Sequence, residues 1–351
     1  MAVGSPLRGC LARLLALLLA LSLAAAQGQP FSRNALYGVT YAPFNLDLDS
    51  ICLPTARVTE DMAIIAEVAD RVRLYNVAVC PEATDAVLDF AAENGMRVVL
   101  GLFISNDTAL NMAEMGAVVP LLEAYGAIVD AVVVGNEAVF VGGVDPFVLV
   151  SYVEDTRKAL RESGFQHPVS TAEVWPIFES PIGPTIANAS DFICLQMQPY
   201  WEGWDVVCPE NTPFECLGAG EYVHAKAAGL ERLFGKQVWA CESGWPTEGE
   251  RCCQGSRDNA RDGLLAGPSV ENATIFMSDF VRAARQEGRP FFYHTVFDGE
   301  WKRIWAPCME CKGLDTQLTN PMCNTCEVDY HWGFYDFTRN PKPGFTLVPA
   351  P

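Results

Sequence analysis

The feature that most constrains the fold is a regular alternation between short apolar segments and longer segments with helical periodicity. Short apolar runs bounded by turn residues predict buried strands, and helices between successive strands predict parallel βα units. Within the first unit, Thr59 has the character of an N-cap, which predicts a helix over residues 59–69. The predicted strands lie at residues 36–41, 71–76, 97–103, 131–134, 168–172, 192–197, 237–241 and 291–297. Eight strands with a helix between most pairs are what a (β/α)8 TIM barrel requires, so we predict one α/β domain rather than two.

The N-terminal region has the features of a secretory leader. Two arginines flank the start of an apolar run at residues 14–21, and Ala24-x-Ala26 forms a small-residue cleavage site. The run is shorter than the ~20 residues that a membrane-spanning helix needs. We therefore predict a signal peptide at residues 1–26 and a secreted catalytic domain at residues 27–345.

The net charge of the chain limits the classes of partner that it is expected to bind. Its 351 residues carry a formal net charge of −19. Nucleic acids and anionic membranes attract basic surfaces, so this charge argues against both and fits a protein that acts on a neutral polymer or a small ligand. Residues 345–351 carry no long apolar tail, so no lipid anchor signal is visible. We expect a monomer without a membrane anchor.

The cysteines also point to the secretory route. One of the 13 cysteines, Cys10, lies in the predicted leader, and the even number that remains predicts disulfides in a secreted chain. The predicted pairs are Cys52 with Cys80, Cys208 with Cys216, Cys308 with Cys311 and Cys323 with Cys326. The last four cysteines form an insertion at about residues 308–326, and their spacing could also hold zinc. The oxidising route favours disulfides there, and we expect neither a metal nor a cofactor.

Two further features concern single residues. Cys241, in the seventh strand, is either free or paired with Cys194 of the neighbouring strand. The Asn-x-Ser/Thr sequences that begin at Asn106, Asn188 and Asn272 are N-glycosylation acceptors. Their presence is consistent with a secreted glycoprotein.

Two predicted strands end in a glutamate. One reads Ala131-Val132-Val133-Val134-Gly135-Asn136-Glu137, and the other reads Val238-Trp239-Ala240-Cys241-Glu242 before Ser243-Gly244-Trp245-Pro246-Thr247. Active sites of (β/α)8 barrels lie at the C-terminal ends of the strands. Either glutamate alone could equally be a helix cap or part of a surface salt bridge. The pair, with an amide and a tryptophan beside it, favours catalysis.

These motifs resemble those of a known family. Gly135-Asn136-Glu137 and Glu242-Ser243-Gly244-Trp245-Pro246-Thr247-x-Gly249 are similar to the two catalytic motifs of family 17 glycoside hydrolases, the β-1,3-glucanase family, and most of all to its secreted fungal or microbial type. The resemblance covers about residues 36–338. It implies that Glu137 is the acid/base, that Glu242 is the nucleophile, and that the anomeric configuration is retained. The sequence departs from the family at Cys241, where a small residue is usual.

Other residues are candidates for contact with substrate. We expect Tyr200 to donate to Glu242, Arg73 and Lys302 to supply positive charge, and Asn136 to hold a sugar 2-hydroxyl. Aromatic residues at or beyond the predicted strand ends could form stacking platforms for sugar rings, although a single aromatic at such a position more often packs within a loop. These aromatic residues are Tyr41, Phe103, Trp175, Trp201, Trp245, Phe297 and Trp301. The full set of expected substrate contacts is Asn136, Tyr41, Tyr200, Trp175, Trp245, Phe297, Glu300, Trp301 and Lys302.

Three functions remain open at this point. The first is a secreted retaining glycosidase that cleaves internal β-1,3 bonds of a β-glucan, either free outside the cell or associated with the cell wall. The second is a β-1,3-glucan transglycosylase that uses the same two glutamates. The third is a non-catalytic glucan-binding wall protein on the same barrel. A binding protein needs no acid and nucleophile pair, so the two glutamates favour an enzyme.

Overall fold

A computed structural model describes residues 34–47, 49–208, 217–249, 267–305 and 327–351. Several predictions lie outside these ranges: the signal peptide at residues 1–26, the insertion at about residues 308–326 with its two cysteine pairs, and the partner of Cys208 at position 216. Within the described residues no helix is long and apolar enough to cross a membrane.

Eight parallel strands close into a barrel in sequence order, with β1 hydrogen-bonded to both β2 and β8. This confirms the predicted (β/α)8 fold. Several strands are shorter than predicted, because the ends of the apolar runs leave the hydrogen-bonded ladder. The strands are β1 (Val39–Thr40), β2 (Arg71–Arg73), β3 (Arg97–Leu102), β4 (Val129–Asn136), β5 (Val169–Val174), β6 (Ile193–Gln196), β7 (Val238–Ser243) and β8 (Phe291–Tyr293).

Helices surround the barrel. They are α1 (Thr55–Val68), α2 (Pro81–Asn94), α3 (Thr108–Tyr125), α4 (Pro146–Glu162), α5 (Trp175–Phe178), α6 (Gly183–Ala189), α7 (Ala219–Phe234), α8 (Val270–Glu287) and α9 (Lys302–Trp305), with 3-10 turns at Gly126–Ile128, Pro199–Glu202 and Glu327–Tyr330. The prediction that Thr59 caps the first helix is wrong, because α1 already begins after Pro54. The Thr59 hydroxyl instead donates to the carbonyl of Thr55, a bond that threonine makes inside a helix.

The apolar side chains form two packed layers. The larger cluster includes alternate residues of the strands, such as Val132 and Val134, and packs them against the helices. The smaller cluster takes the intervening strand residues, including Val133, Cys194 and Cys241. Because successive strand residues point to opposite faces, this second cluster fills the inside of the barrel.

Two disulfides have both of their cysteines among the described residues. Cys52 pairs with Cys80, as predicted, at a Cα–Cα distance of 5.5 Å. Cys194 pairs with Cys241 at a Cα–Cα distance of 5.3 Å, so the second of the two alternatives for Cys241 is the observed one. This second disulfide joins β6 to β7 inside the barrel, one residue before Glu242.

The three glycosylation acceptors differ in their surroundings. Asn106 and Asn188 are exposed. Asn272 lies in the first turn of α8, where it is buried and its side-chain amide donates to the carbonyl of Gly267 at 2.9 Å. The folded chain therefore does not present the Asn272 side chain to solvent, and glycosylation at all three positions stays a prediction.

Candidate active site

Both strands that carry the glutamates contain an extra residue just before the carboxylate. In β4, the pairing with β5 shifts by one residue between Val133 and Asn136. In β7, the pairing with β6 shifts between Ala240 and Glu242. Such bulges bend a strand and re-aim its side chains. They place Asn136, Glu137 and Glu242 at the C-terminal mouth of the barrel.

Glu242 lies inside a dense set of hydrogen-bond donors. Its Oε2 accepts from the Tyr75 hydroxyl at 2.7 Å and from Nη1 of Arg73 at 3.3 Å. Its Oε1 accepts from Nε2 of Gln198 at 2.9 Å, and Nδ1 of His294 lies 3.8 Å from the same oxygen. These donors favour the ionised form of the carboxylate.

The two glutamates have opposite pKa shifts. Burial alone raises the pKa of Glu242, but His294, Arg73, the Tyr75 hydroxyl and Lys302 outweigh it and hold the pKa below its ordinary value. For Glu137, burial is the main cause of a pKa raised to about 8, and the negative charge of Glu242 adds to it. One carboxyl group therefore keeps its proton while the other is ionised, which is the division that an acid and a nucleophile need.

Arg73 hydrogen-bonds both to Glu242 and to Asn136, the residue that precedes Glu137. Its guanidinium is fully buried, and besides Glu242 it donates to the carbonyl of Cys241 at 3.1 Å and to Oδ1 of Asn136 at 2.6 Å. Gln196 donates to the same Asn136 oxygen through its Nε2. Because two donors occupy that oxygen, the Nδ2 amide is the group that Asn136 can offer to a ligand.

The predicted donor to Glu242, Tyr200, was the wrong tyrosine. Tyr200 is buried, and its ring packs edge-on against Trp201 at 5.0 Å and Trp245 at 5.4 Å. The donor is Tyr75, just past β2. The sequence signal for it was its place two residues after Arg73, near the end of the predicted strand at residues 71–76.

Three of the predicted stacking residues are buried rather than part of a cleft surface. The Trp245 side chain is fully buried, donates through Nε1 to the carbonyl of Gly267 at 3.0 Å, and packs on Phe276. Tyr41 is buried and donates to Asp61, and Phe297 is also buried. Burial removes the flat face that each would need to present to a sugar ring.

The other aromatic candidates are more accessible. Trp201 is 38% exposed and Phe103 41% exposed. Trp175 is half-buried, with its Nε1 donating to Glu202 at 2.7 Å. Trp301 is also half-buried, with its ring edge-on to Phe44 at 4.8 Å.

The two charged residues after β8 have different surroundings. Nζ of Lys302 lies 3.0 Å from Oδ2 of Asp329, and its charge helps to lower the pKa of Glu242. Glu300 instead pairs with Arg303 at 2.8 Å, within the same turn. Lys302 therefore acts electrostatically on the site, whereas the observed contact of Glu300 is local.

His294 is a site residue that the sequence did not single out. Nδ1 of His294 lies 3.0 Å from the Thr40 hydroxyl and 3.3 Å from the Tyr75 hydroxyl, which itself binds Glu242. Burial lowers the pKa of His294 more than the facing Glu242 raises it. The residue follows β8 directly, but four scattered histidines carried no local pattern.

Two known proteins described here are similar to this chain in sequence. A glucan endo-1,3-beta-glucosidase of Emericella nidulans, btgC, is 25% identical over 88% of this chain and 45% of its own length. A glucan 1,3-beta-glucosidase of Schizosaccharomyces pombe is 26% identical over 72% of this chain and 75% of its own length. The chain thus spans less than half of the btgC relative.

Solved structures share the fold. A glycoside hydrolase family 17 β-1,3-glucanosyltransferase from Rhizomucor miehei aligns with a TM-score of 0.68 at 24% identity, over 91% of this chain and all of that one. An endo-laminarinase from Formosa aligns with a TM-score of 0.66 at 16% identity, over 88% of this chain and 85% of that one. Residues 38–311 match the sequence model of a protein family, the BtgE/BtgC glycoside hydrolase domain. This chain therefore belongs to that family.

Proposed function

We propose that this protein is a retaining glycosidase that cleaves internal β-1,3-glucosidic bonds of a glucan. The observation that carries the proposal is a pair of glutamates at one barrel mouth whose different surroundings shift their pKa values in opposite directions. Glu242 is held ionised by Tyr75, Gln198 and Arg73, while burial and the facing charge keep the proton on Glu137.

The chemistry follows from this arrangement. Glu137 donates its proton to the glycosidic oxygen as the bond from that oxygen to the anomeric carbon breaks. A Glu242 oxygen attacks the same carbon and forms a glycosyl-enzyme ester. Glu137, now ionised, removes a proton from water, and the water oxygen displaces Glu242 from the sugar. Both carboxyl groups return to their starting states, and two inversions leave the configuration retained.

Asn136 and Arg73 have supporting parts in this mechanism. Because Oδ1 of Asn136 is occupied by Arg73 and Gln196, its Nδ2 is oriented to donate to a sugar hydroxyl. A contact with the 2-hydroxyl strengthens in the transition state. Arg73 holds Asn136 and Glu242 at the same time, so it fixes the amide relative to the nucleophile.

The names of the relatives support a β-1,3-glucan as substrate, since both curated proteins described above are named for β-1,3-glucosidic bonds. We further propose that the protein is secreted. The Cys52–Cys80 and Cys194–Cys241 disulfides are of a kind that forms and persists in oxidising compartments, and the predicted leader fits the same route.

A product time course tests the proposal. Wild type, Glu137→Ala and Glu242→Ala are incubated with a β-1,3-gluco-oligosaccharide reduced at one end, and products are separated by chain length. Shorter products only, abolished in both variants, would establish the hydrolase. Products longer than the substrate would establish transglycosylation instead. An inactive wild type that still binds the oligosaccharide would refute catalysis and leave a glucan-binding barrel.

A further inference from the structure

The backbone after β4 makes one tight turn that presents Glu137. The carbonyl of Glu137 accepts from the N–H of Val141 at 2.8 Å and of Gly142 at 3.1 Å. The first N–H groups of such a helical turn find no partner within it. Glu173, in β5, supplies the partner: its carboxylate accepts from the N–H of Val139 at 2.7 Å and of Phe140 at 3.4 Å.

The turn requires this support because its first residue is strained. Glu137 has a φ of 49°, a left-handed conformation that non-glycine residues adopt only where their surroundings impose it. Two contacts from β5 impose it. The N–H of Glu137 donates to the carbonyl of Ala172 at 2.8 Å, and the fully buried side chain of Glu173 holds the next N–H groups of the turn.

We propose that Glu173 is a positioning residue for the acid/base: its buried carboxylate holds the 137–142 turn and so sets the placement of the Glu137 carboxyl group. This inference rests on the proposed function of Glu137. In the sequence, Glu173 directly follows the predicted strand at residues 168–172, a position that does not by itself indicate a role. Its action through backbone N–H groups of another strand's loop is a tertiary feature.

The charge of Glu173 adds a second effect. The charged groups that face Glu137 are Glu242 from β7, Glu173 from β5, Arg73 from β2 and Asp329 from the last 3-10 turn. Burial raises the pKa of Glu173 to about 7, even though the two N–H groups act in the opposite direction. Where Glu173 is ionised, its charge opposes the loss of the Glu137 proton and adds to the raised pKa of that group.

The chain offers a matched control in Glu114 of α3. Its side chain is also fully buried, and its carboxylate accepts from the N–H groups of Val77, Ala78 and Val79 at 2.8, 3.0 and 3.2 Å. It holds the loop after β2, but it is not among the groups whose charge shifts the pKa of Glu137. Its loss removes a comparable loop anchor without changing the charge beside the acid.

The test compares Glu173→Gln, Glu173→Asp and Glu114→Gln with wild type. One readout is kcat and KM as a function of pH on a β-1,3-gluco-oligosaccharide. The other is independent of activity: carbon-13 NMR titration of labelled glutamate carboxyl groups, with the Glu137 signal assigned by its loss in Glu137→Gln. Thermal unfolding confirms that each variant is folded.

We expect Glu173→Gln to lower the pKa of Glu137 by about one unit, because a nearby like charge is removed. The alkaline limb of the activity profile should move to lower pH by the same amount. Glu173→Asp keeps the charge but shortens the side chain. It should retain the alkaline limb while kcat falls on the order of 10- to 100-fold at little-changed KM, because the acid is misplaced. Glu114→Gln should leave the Glu137 titration unchanged.

An unchanged Glu137 titration in Glu173→Gln would overturn the charge effect, and wild-type kcat in Glu173→Asp would overturn positioning. An equal shift in Glu114→Gln would overturn both, since it would trace to loosened loops in general. If Glu173→Gln does not fold, the kcat of Glu173→Asp decides whether Glu173 positions the Glu137 carboxyl group. An inactive wild type would refute the proposed function separately, and the NMR titration would still decide whether Glu173 acts on Glu137.

Discussion

The Tyr75 hydroxyl donates to Oε2 of Glu242 at 2.7 Å, across the barrel mouth from the end of β2 to the end of β7. The ring of Tyr75 also lies 5.0 Å from the guanidinium of Arg73, which binds the same carboxylate oxygen. Burial raises the pKa of Tyr75 well above its ordinary value, so the hydroxyl keeps its proton and serves as a donor throughout the working pH range.

Loss of the Tyr75 hydroxyl should change the dependence of kcat/KM on pH. In Tyr75→Phe the ionised form of Glu242 loses a hydrogen bond, so the pKa of Glu242 rises and the acid limb of kcat/KM moves to higher pH. We expect kcat/KM near neutral pH to fall about 10- to 100-fold, since a bond to a charged group contributes ~1.5–3 kcal/mol. The control is Tyr200→Phe, which should leave the acid limb in place. An acid limb that moves in the control and not in Tyr75→Phe would contradict the assignment.

The raised pKa of Glu137 implies that the site reduces stability at high pH. The folded-state pKa, about 8, lies above the unfolded value, so the folded chain binds more protons and stability falls as pH rises from about 4.5 through about 8. Glu137→Gln should therefore be more stable than wild type above pH 8, by on the order of 4–5 kcal/mol, with a difference of under about 1 kcal/mol at pH 5. Urea unfolding at both pH values measures this. A stability gain equal at the two pH values would rule out the ionisation of Glu137 as its source.

The two disulfides should contribute differently to stability. They span 28 and 47 residues, and in the chain-entropy model a longer closed loop restricts the unfolded chain more. Replacing both cysteines by serine should lower the free energy of unfolding by roughly 3.5 kcal/mol for the Cys52–Cys80 pair and roughly 4 kcal/mol for the Cys194–Cys241 pair. Urea unfolding under oxidising and reducing conditions checks both values. Only the second replacement should also reduce kcat, because that disulfide adjoins Glu242.

Substitutions at two tryptophans should distinguish a role in core packing from a role in substrate contact. Trp245→Ala removes a fully buried indole, so the free energy of unfolding should fall by about 3–5 kcal/mol. Trp201→Ala removes a partly exposed ring, so stability should change little while KM for a β-1,3-gluco-oligosaccharide rises several-fold. Thermal unfolding and steady-state kinetics on both variants make the comparison. A raised KM in Trp245→Ala at unchanged stability would reverse our assignment of the two residues.

Local patterns were sufficient for the barrel and for the pair of glutamates. Most strands contain an apolar run, several of the longer helices are amphipathic, and Glu137 and Glu242 stand at the ends of two apolar runs. The Cys52–Cys80 pair was predictable because both cysteines lie past early strand ends. These features depend on neighbours in sequence, or on the general rule that parallel strands of a barrel end on one side.

The tertiary structure alone decided which side chains surround the glutamates. Tyr75 rather than Tyr200 reaches Glu242, Glu173 holds the Glu137 turn, and Trp245 points inward. The one-residue bulges in β4 and β7 decide the direction of both carboxylates, and they follow from pairing with neighbouring strands. The amino-acid sequence thus determined the fold and the two acids. Barrel closure determined their partners, because those hydrogen bonds join residues far apart in the chain that only the closed sheet brings within hydrogen-bonding distance.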